Sequence, residues 1–249
     1  PRVITFAQQK RQWPELVVLY VPYNEYDNAA LTIMQHSAEA WEHTQFKDVL
    51  AKVANSDLHY RAVEFYLDEH PLLANDLLAA LAGSVDHARV VQLVRRLGHL
   101  PLVKTYLESV QEKDVPAVND ALNELYVEEE DHEKLRHSIE QFEQFDGAAL
   151  ARKLEAHALL EFRRIAAYLH RRAGRFDKSV ELCKQDKLYK DAIDTAAASG
   201  KTDVAEALLR FFVDDVRSKE CFAALLFTCY SLVRADVALE LAWRNGMVD

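Results

Sequence analysis

Apolar residues recur every three or four positions along almost the whole chain. In one stretch, Leu78 and Leu81 are followed by Val90, Val94 and Leu97, with polar residues between them. This spacing places apolar side chains on one face of a helix. The pattern predicts about sixteen amphipathic helices of roughly 10–14 residues, joined by loops of roughly 2–4 residues.

Residues that favour helix ends punctuate this pattern. Proline suits the first turn, a capping side chain accepts a hydrogen bond from a free backbone N–H, and glycine adopts the left-handed conformation that closes many helices. The predicted starts are Pro14, Pro71, Pro101 and Pro116, the predicted N-caps are Asn24, Asp57 and Asp86, and the predicted stops are Gly83, Gly98, Gly174, Gly200 and Gly246.

Helices of this length are marginal in water on their own, so they must bury their apolar stripes against one another. A helix pair with a period of roughly 30 residues is typical of an α-solenoid. A weak repeat, an aromatic residue followed three positions later by a small one, occurs at 26–29, 176–179 and 189–192. We expect an all-α fold, a right-handed α-solenoid of stacked antiparallel helical hairpins that resemble the tetratricopeptide type. One irregular helical domain is the alternative.

The composition narrows the class further. Six glycines and six prolines in 249 residues are too few for the frequent turns of a β-sandwich or barrel, and no glycine-rich turn of a doubly wound nucleotide fold is present. The net charge of −10 argues against general nucleic-acid binding. No apolar run reaches about 18 residues, so we expect no membrane span, and we recognise no signal peptide.

The cysteines indicate a reducing compartment. Cys183, Cys221 and Cys229 form an odd and sparse set, and the chain has no N-x-S/T glycosylation site. Both features suit a cytosolic protein. The chain begins at Pro1 in mid-pattern and ends after an amphipathic helix, so we expect a fragment of a longer protein.

Charge is distributed unevenly along the chain. Residues 114–146 contain eleven acidic and two basic side chains, whereas residues 150–190 contain eleven basic and five acidic ones. These charges either form solvated helix faces or guide side-by-side packing of molecules, since complementary potentials set register.

The sequence lacks a constellation that would form an active site. His132 and His137 resemble a zinc-protease pair, but they are five residues apart instead of four, which turns them roughly 140° away from each other on a helix. Cys221 and Cys229 lie two helical turns apart, too far for a disulfide within one helix. We therefore expect no enzyme activity, no catalytic residue, no cofactor and no metal.

Several segments resemble a known family. They are EFRRIAAY (161–168), SVELCK (179–184), LYKDA (188–192), LFTCY (226–230) and RADVALELAWRN (234–245), with shorter matches at 13–16, 25–29, 45–48, 52–55 and 75–78. Together they resemble the clathrin heavy-chain family, in the part of the leg that leads into the trimer hub. The resemblance covers essentially the whole chain.

The resemblance implies a structural coat protein of endocytosis and vesicle-mediated intracellular protein transport. Its partners would be the clathrin light chain and other heavy chains, through a homotrimer in the full-length protein and through leg–leg contacts in the lattice. It would bind no nucleic acid, would meet the membrane only through adaptors, and would lie in the cytoplasm on the face of coated pits and coated vesicles. A related solenoid of a vacuolar tethering subunit is the alternative.

The resemblance also implies a division into repeats. Residues 1–76 would be the C-terminal part of one clathrin heavy-chain repeat, 77–222 the next full repeat, and 223–249 the start of the trimerisation hub.

Three sets of candidate site residues follow. Basic residues beside the apolar stripes of the first half are candidates for light-chain binding, apolar residues near the C-terminal end are candidates for the hub, and histidines inside the acidic stretch are candidates for pH-sensitive assembly. The light-chain candidates are Lys47, Lys52, Arg61, His70, Arg95 and Arg96; the hub candidates are Cys221, Phe222, Leu226, Cys229 and Trp243; the pH candidates are His132 and His137.

Overall fold

The computed structural model describes residues 2–246, and within them the regular elements are eighteen α-helices with no β-strand. The helices are α1 Arg2–Gln9, α2 Trp13–Tyr20, α3 Tyr26–Gln35, α4 Ser37–Ala40, α5 His43–Leu50, α6 Ser56–Glu69, α7 Ala74–Leu81, α8 His87–Leu97, α9 Lys104–Val110, α10 Pro116–Glu128, α11 His132–Gln141, α12 Gly147–Leu154, α13 Leu160–Arg172, α14 Phe176–Gln185, α15 Tyr189–Ser199, α16 Thr202–Phe211, α17 Lys219–Thr228 and α18 Ala235–Arg244.

Shorter helical turns link some of these helices. The 3₁₀ turns are Val21–Tyr23, Pro71–Leu73, Leu100–Val103 and Gln111–Lys113, and a π-helical turn, Phe212–Val216, follows α16. The connections therefore stay short, as the scarcity of glycine and proline indicates.

The chain forms two compact units that divide between Phe145 and Asp146. Helices α1–α11 belong to the first unit and α12–α18 to the second. Each unit buries its own set of apolar side chains.

Helices of the first unit pack in two layers. In one layer α6 contacts α8 and α8 contacts α10; in the other α5 contacts α7 and α7 contacts α9. Contacts between α6 and α7 and between α9 and α10 join the layers. Phe46 of α5 packs on Tyr66 of α6 with ring centroids 5.9 Å apart, and both are fully buried. Burying an apolar side chain of this size contributes about 1.5–3 kcal/mol.

The second unit repeats the same arrangement. Successive helices from α12 to α16 contact one another, and α15 also contacts α17. Leu208, Leu209, Phe212 and Leu225 lie at the centre of its core and are at most 1% exposed. The predicted all-α solenoid of stacked helical hairpins is confirmed.

Several predicted helix ends are confirmed. The Asp86 side chain accepts a hydrogen bond from the backbone N–H of Ala88, and Pro116 is the first residue of α10. Gly98 and Gly200 follow the last residues of α8 and α15 with φ of 73° and 65°. At this φ glycine avoids the steric cost that other residues bear.

Other predicted ends are wrong. Asn24 does not cap α3 but closes the preceding 3₁₀ turn in the left-handed conformation, with φ 57°. Asn55, and not Asp57, caps α6, because the Asn55 side chain accepts from the Asp57 N–H. Pro71 and Pro101 lie in 3₁₀ turns ahead of α7 and α9, so neither is the first residue of an α-helix.

Candidate interaction surfaces

Arg61 lies in a groove between α6 and α8. The groove is lined by Asp57, Tyr60, Arg61 and Glu64 from α6 and by Arg89, Gln92, Leu93 and Arg96 from α8. These residues recur every three or four positions, so each helix contributes one face over two turns.

Ion pairs close the two ends of this groove. At one end, Arg89 Nη2 lies 2.8 Å from Asp57 Oδ1, and its guanidinium stacks 4.0 Å from the Tyr60 ring centroid. At the other end, Arg96 pairs with Glu64. Arg61 is exposed between them and has no hydrogen-bond, ion-pair or ring partner within residues 2–246. The groove therefore offers one unpaired cation flanked by two paired ones.

Arg95 and Arg96 connect successive hairpins. Arg95 Nη2 lies 2.8 Å from Glu124 Oε2 of α10, whereas Arg96 pairs with Glu64 of α6. Both pairs are partly exposed, and exposed pairs contribute about 0–1 kcal/mol each. These two light-chain candidates therefore already neutralise carboxylates of their own chain.

Lys47 belongs to a cluster around Asp76 of α7. Lys47 Nζ lies 2.5 Å and His43 Nε2 2.6 Å from Asp76 Oδ2. The hydrogen bonds from Lys47 and then His43 hold the pKa of Asp76 below its ordinary value, since both partners favour the charged carboxylate. The other His43 nitrogen, Nδ1, lies 2.9 Å from the buried Tyr66 hydroxyl.

Lys52 and His70 contact aromatic rings. Lys52 Nζ lies 5.4 Å from the ring centroid of Tyr26, within the range of a cation–π contact. His70 stacks on Trp41 with centroids 3.6 Å apart and an interplanar angle of 9°. Of the six light-chain candidates, Arg61 alone has no partner in the described residues.

The two pH candidates lie on α11. His132 begins the helix and is partly buried, and His137 is exposed. Asp131 caps the same helix by accepting from the Lys134 N–H at 3.0 Å. Within residues 2–246 no group of three or more His, Cys, Asp or Glu side chains is arranged to hold a metal ion.

Side chains of the basic segment pair within the second unit. Arg163 contacts Asp186 with two guanidinium nitrogens, at 2.8–3.0 Å. Arg164 Nε lies 2.6 Å from Asp191 Oδ2. Two of the eleven cations of this segment, Arg163 and Arg164, therefore form ion pairs with carboxylates 23 and 27 residues later in the chain.

The hub candidates divide between core and surface. Phe222 and Cys229 are buried, Cys221 and Leu226 are partly buried against the same core, and Trp243 on α18 is 80% exposed. Helix α17, which carries Cys221, Phe222 and Leu226, begins at Lys219 after the π-helical turn and ends at Thr228. Cys229 is the C-cap residue of α17, and both Cys221 and Cys229 pack against the same core.

Three further apolar side chains beside these candidates, which the candidate set does not include, are exposed. Phe227, Tyr230 and Leu239 are 88%, 80% and 71% exposed. Their signal was present, because an almost uniformly apolar segment such as 222–227 cannot turn every side chain to a single neighbouring helix. This end of the second unit presents large apolar side chains to solvent.

The candidate set also leaves out the carboxylates that pair with arginines of the groove between α6 and α8. Asp57 precedes Arg89 by 32 residues and Glu64 precedes Arg96 by 32 residues. That shared spacing is one hairpin period, so opposite charges separated by about one hairpin are the sequence signal for both pairs.

None of the helices in residues 2–246 has the length and apolar character required to cross a bilayer.

Comparison with known proteins relates the whole chain to one family. A family model described as "Region in Clathrin and VPS" matches residues 1–74 and 78–220. The chain is 54% identical over 249 residues to clathrin heavy chain 1 of Arabidopsis thaliana, and 54% identical over 249 residues to the clathrin heavy chain of Dictyostelium discoideum. It is 53% identical over the same length to human clathrin heavy chain 2. In each comparison all of this chain is covered, and it spans 14–15% of the relative.

The stacked hairpins and the matched repeat define an α-solenoid of the helical-repeat class. More narrowly, the chain belongs to the clathrin family and is similar along its whole length to a segment of the clathrin heavy chain.

Proposed function

We propose that the chain is a leg segment of a clathrin coat, a structural element with no catalytic role. It would form the lattice of coated pits and vesicles with other heavy chains, carry the light chain, and act in endocytosis and intracellular protein transport at the cytoplasmic face of the membrane, which it meets through adaptors. The observation that carries this proposal is 54% identity over all 249 residues to proteins named clathrin heavy chain.

Electron microscopy of the full-length protein containing this chain, mixed with its light chain, tests the proposal. Three-legged particles are expected, and closed polyhedral lattices should form when these particles assemble. Linear or single-rod particles under the same conditions would contradict the coat function.

A tethering subunit is the second candidate, because the matching family model includes VPS proteins in its description. The relatives that match this chain at 52–55% identity are clathrin heavy chains, and they favour the coat.

The proposed repeats are residues 1–76, 77–222 and 223–249, the last of which begins the hub. The family model matches in two parts, 1–74 and 78–220, and this division supports the proposed boundaries. Residues 247–249 lie outside the described part.

For light-chain binding, the proposed surface is the set of six basic residues, with Arg61 as its strongest contact. Arg61 supports this role because it is exposed and unpaired within residues 2–246, so an acidic partner would not have to displace a carboxylate of the same chain. Arg61→Glu should weaken light-chain affinity about three- to tenfold, since a tenfold change corresponds to about 1.4 kcal/mol. Arg175→Glu, an exposed arginine of the second unit, is the matched control. Equal affinity of both variants and the parent would remove Arg61 from the surface.

For the hub, the proposed contacts are Cys221, Phe222, Leu226, Cys229 and Trp243. Trp243 supports this role best, since its 80% exposure leaves a large apolar side chain available to a partner. Trp243→Ala should weaken trimers of the full-length protein in sedimentation without lowering helicity. Leu72→Ala, which removes a side chain that is 91% exposed in the first unit, should leave trimers unchanged. Equal trimer formation by both variants would contradict the assignment.

For pH-sensitive assembly, the proposed sensors are His132 and His137. Both lie in the acidic stretch, and protonating them would reduce repulsion between acidic legs. Replacing both with Gln should shift the assembly midpoint to lower pH, whereas His99→Gln outside that stretch should not. An unchanged midpoint in the double variant would place the sensor elsewhere.

A further inference from the structure

His87 lies at a joint between two successive hairpins of the first unit. It is the first residue of α8 and is 7% exposed. Its Nδ1 lies 2.7 Å from the hydroxyl of Tyr106 on α9, and its Nε2 lies 2.7 Å from Nζ of Lys113 in the 3₁₀ turn that follows α9. Lys113 Nζ also donates to the carbonyl of Ala82, just after α7, at 3.2 Å.

These contacts fix the protonation state of the imidazole. A lysine ammonium has donors and no acceptor, so Nε2 of His87 must accept from Lys113 and carry no proton. Nδ1 then carries the ring proton and donates a hydrogen bond to the hydroxyl oxygen of Tyr106. Neutral His87 of α8 therefore contacts both Tyr106 and Lys113. Lys113 in turn donates to the Ala82 carbonyl of the preceding hairpin.

Protonation of His87 turns its contact with Lys113 from attractive to repulsive. An imidazolium has N–H donors on both nitrogens, so its Nε2–H would face the Lys113 ammonium with a positive charge on each side. Two unit charges this close repel strongly in a partly buried site. Lys113 is itself exposed and has a flexible four-carbon stem, so it can move into solvent and release the Ala82 carbonyl.

Other charged and titratable groups near His87 do not cancel this repulsion. Asp86 favours the protonated ring, but its effect is smaller than those of burial and of Lys113, and the pKa of His87 is lowered. Asp86 offers its backbone N–H to the Tyr60 hydroxyl of α6. Tyr106 is almost completely buried, and this burial raises its pKa, so it stays neutral.

We propose that His87 and Lys113 form a pH-sensitive clamp between successive hairpins, closed when His87 is neutral and released when it is protonated. The clamp is a property of this chain alone and does not depend on the coat function. It also differs from the sensors proposed on α11, which would act between molecules.

Hydrogen exchange of the backbone amides around the joint tests the clamp. The reporters are the amides of Ser84 and Val85, which bond to the Leu81 carbonyl, and the amide of Asp114, which bonds to the Gln111 carbonyl. They would be measured in the unsubstituted chain and in His87→Gln at pH 7.5 and pH 5.5. Glutamine supplies one donor and one acceptor but does not titrate, so this variant keeps the clamp at both pH values.

The two proteins should exchange alike at pH 7.5. As the pH falls below the ordinary pKa of histidine, the unsubstituted chain should exchange faster than His87→Gln, by up to tenfold per pH unit until the lowered pKa of the folded state is reached, because one proton is taken up on opening. Comparing the two at the same pH cancels the intrinsic pH dependence of exchange. A ratio that is the same at both pH values would overturn the proposal.

Two further variants separate the clamp from general destabilisation. Lys113→Met should make the reporter amides exchange faster than in the unsubstituted chain at pH 7.5. It should also raise the pKa of His87 in an NMR titration, since the neighbouring cation is gone. His59→Gln changes a buried histidine whose Nε2 contacts the Leu50 carbonyl, with no lysine partner, and should not alter the pH dependence of the joint. An unchanged titration of His87 in Lys113→Met would also overturn the clamp.

Discussion

Replacing Ser138 with alanine should destabilise the first unit by more than the loss of one hydroxyl would suggest. Ser138 on α11 is the centre of a buried chain of hydrogen bonds. It accepts from Gln111 Nε2 at 3.0 Å and donates to Asn123 Oδ1 at 2.8 Å. All three side chains are at most 8% exposed.

The magnitude follows from the two groups that lose their partner. Ser138→Ala removes the acceptor of Gln111 and the donor to Asn123, and neither side chain reaches solvent freely. A stranded buried polar group costs about 1–3 kcal/mol, so two such groups should cost the variant about 2–6 kcal/mol. With a urea m-value of about 2–3 kcal/mol/M, the unfolding midpoint should fall by about 1–3 M.

Urea unfolding followed by far-UV circular dichroism measures this change. Ser109→Ala is the matched control, because Ser109 is exposed and only donates to the carbonyl of Tyr106; it should stay within about 0.5 kcal/mol of the parent. Replacing the whole network by Gln111→Met, Asn123→Leu and Ser138→Ala together should restore most of the loss, since no partner is then stranded.

Two results would refute this reasoning. One is a Ser138→Ala variant as stable as the Ser109→Ala control. The other is a triple variant less stable than Ser138→Ala alone, which would show that packing volume, and not unpaired polar groups, determines the cost.

Further predictions concern the second unit. The hydrogen bonds from Arg234 lower the pKa of Glu206, so the folded state binds fewer protons than the unfolded chain. The stability that this carboxylate contributes should be complete above the ordinary pKa of glutamate and should disappear as the pH falls through the lowered pKa. Glu206→Gln should flatten this pH dependence in acid-unfolding curves, and an unaltered slope would contradict the prediction. Burial raises the pKa of Cys183 to about 11 and also raises that of Cys229, so a thiol reagent should modify the partly buried Cys221 first in the native protein, and equal rates at all three thiols would show that the core opens readily.

The sequence predicted the helices well because their periodicity is set locally. It predicted some ends wrongly where two suitable residues compete or where a turn precedes the helix. Asn55 and Asp57 are both good capping residues, and only the backbone conformation selects Asn55. Pro71 and Pro101 favour the start of a helical segment, but the turns around them form 3₁₀ hydrogen bonds before the α-helices begin.

The surroundings of the candidate sites were harder to predict, because they depend on residues about one hairpin away. Nothing local distinguishes Arg61 from Arg96, yet Arg96 meets Glu64 and Arg61 meets no partner within residues 2–246. Likewise, the apolar pattern of α17 does not say that Phe222 turns inward while Phe227 turns outward, since the direction depends on how many neighbours the helix has.

The neighbouring arginines Arg95 and Arg96 limit how such a chain can lengthen during evolution. Arg95 binds Glu124 on the following helix of its layer, and Arg96 binds Glu64 on the preceding one. Inserting or deleting a complete hairpin would return a helix of the same layer to each arginine. Inserting a single helix would exchange the two layers and leave both arginines facing the wrong neighbour. Duplications that survive in this region should therefore come in units of about thirty residues, the period of one hairpin.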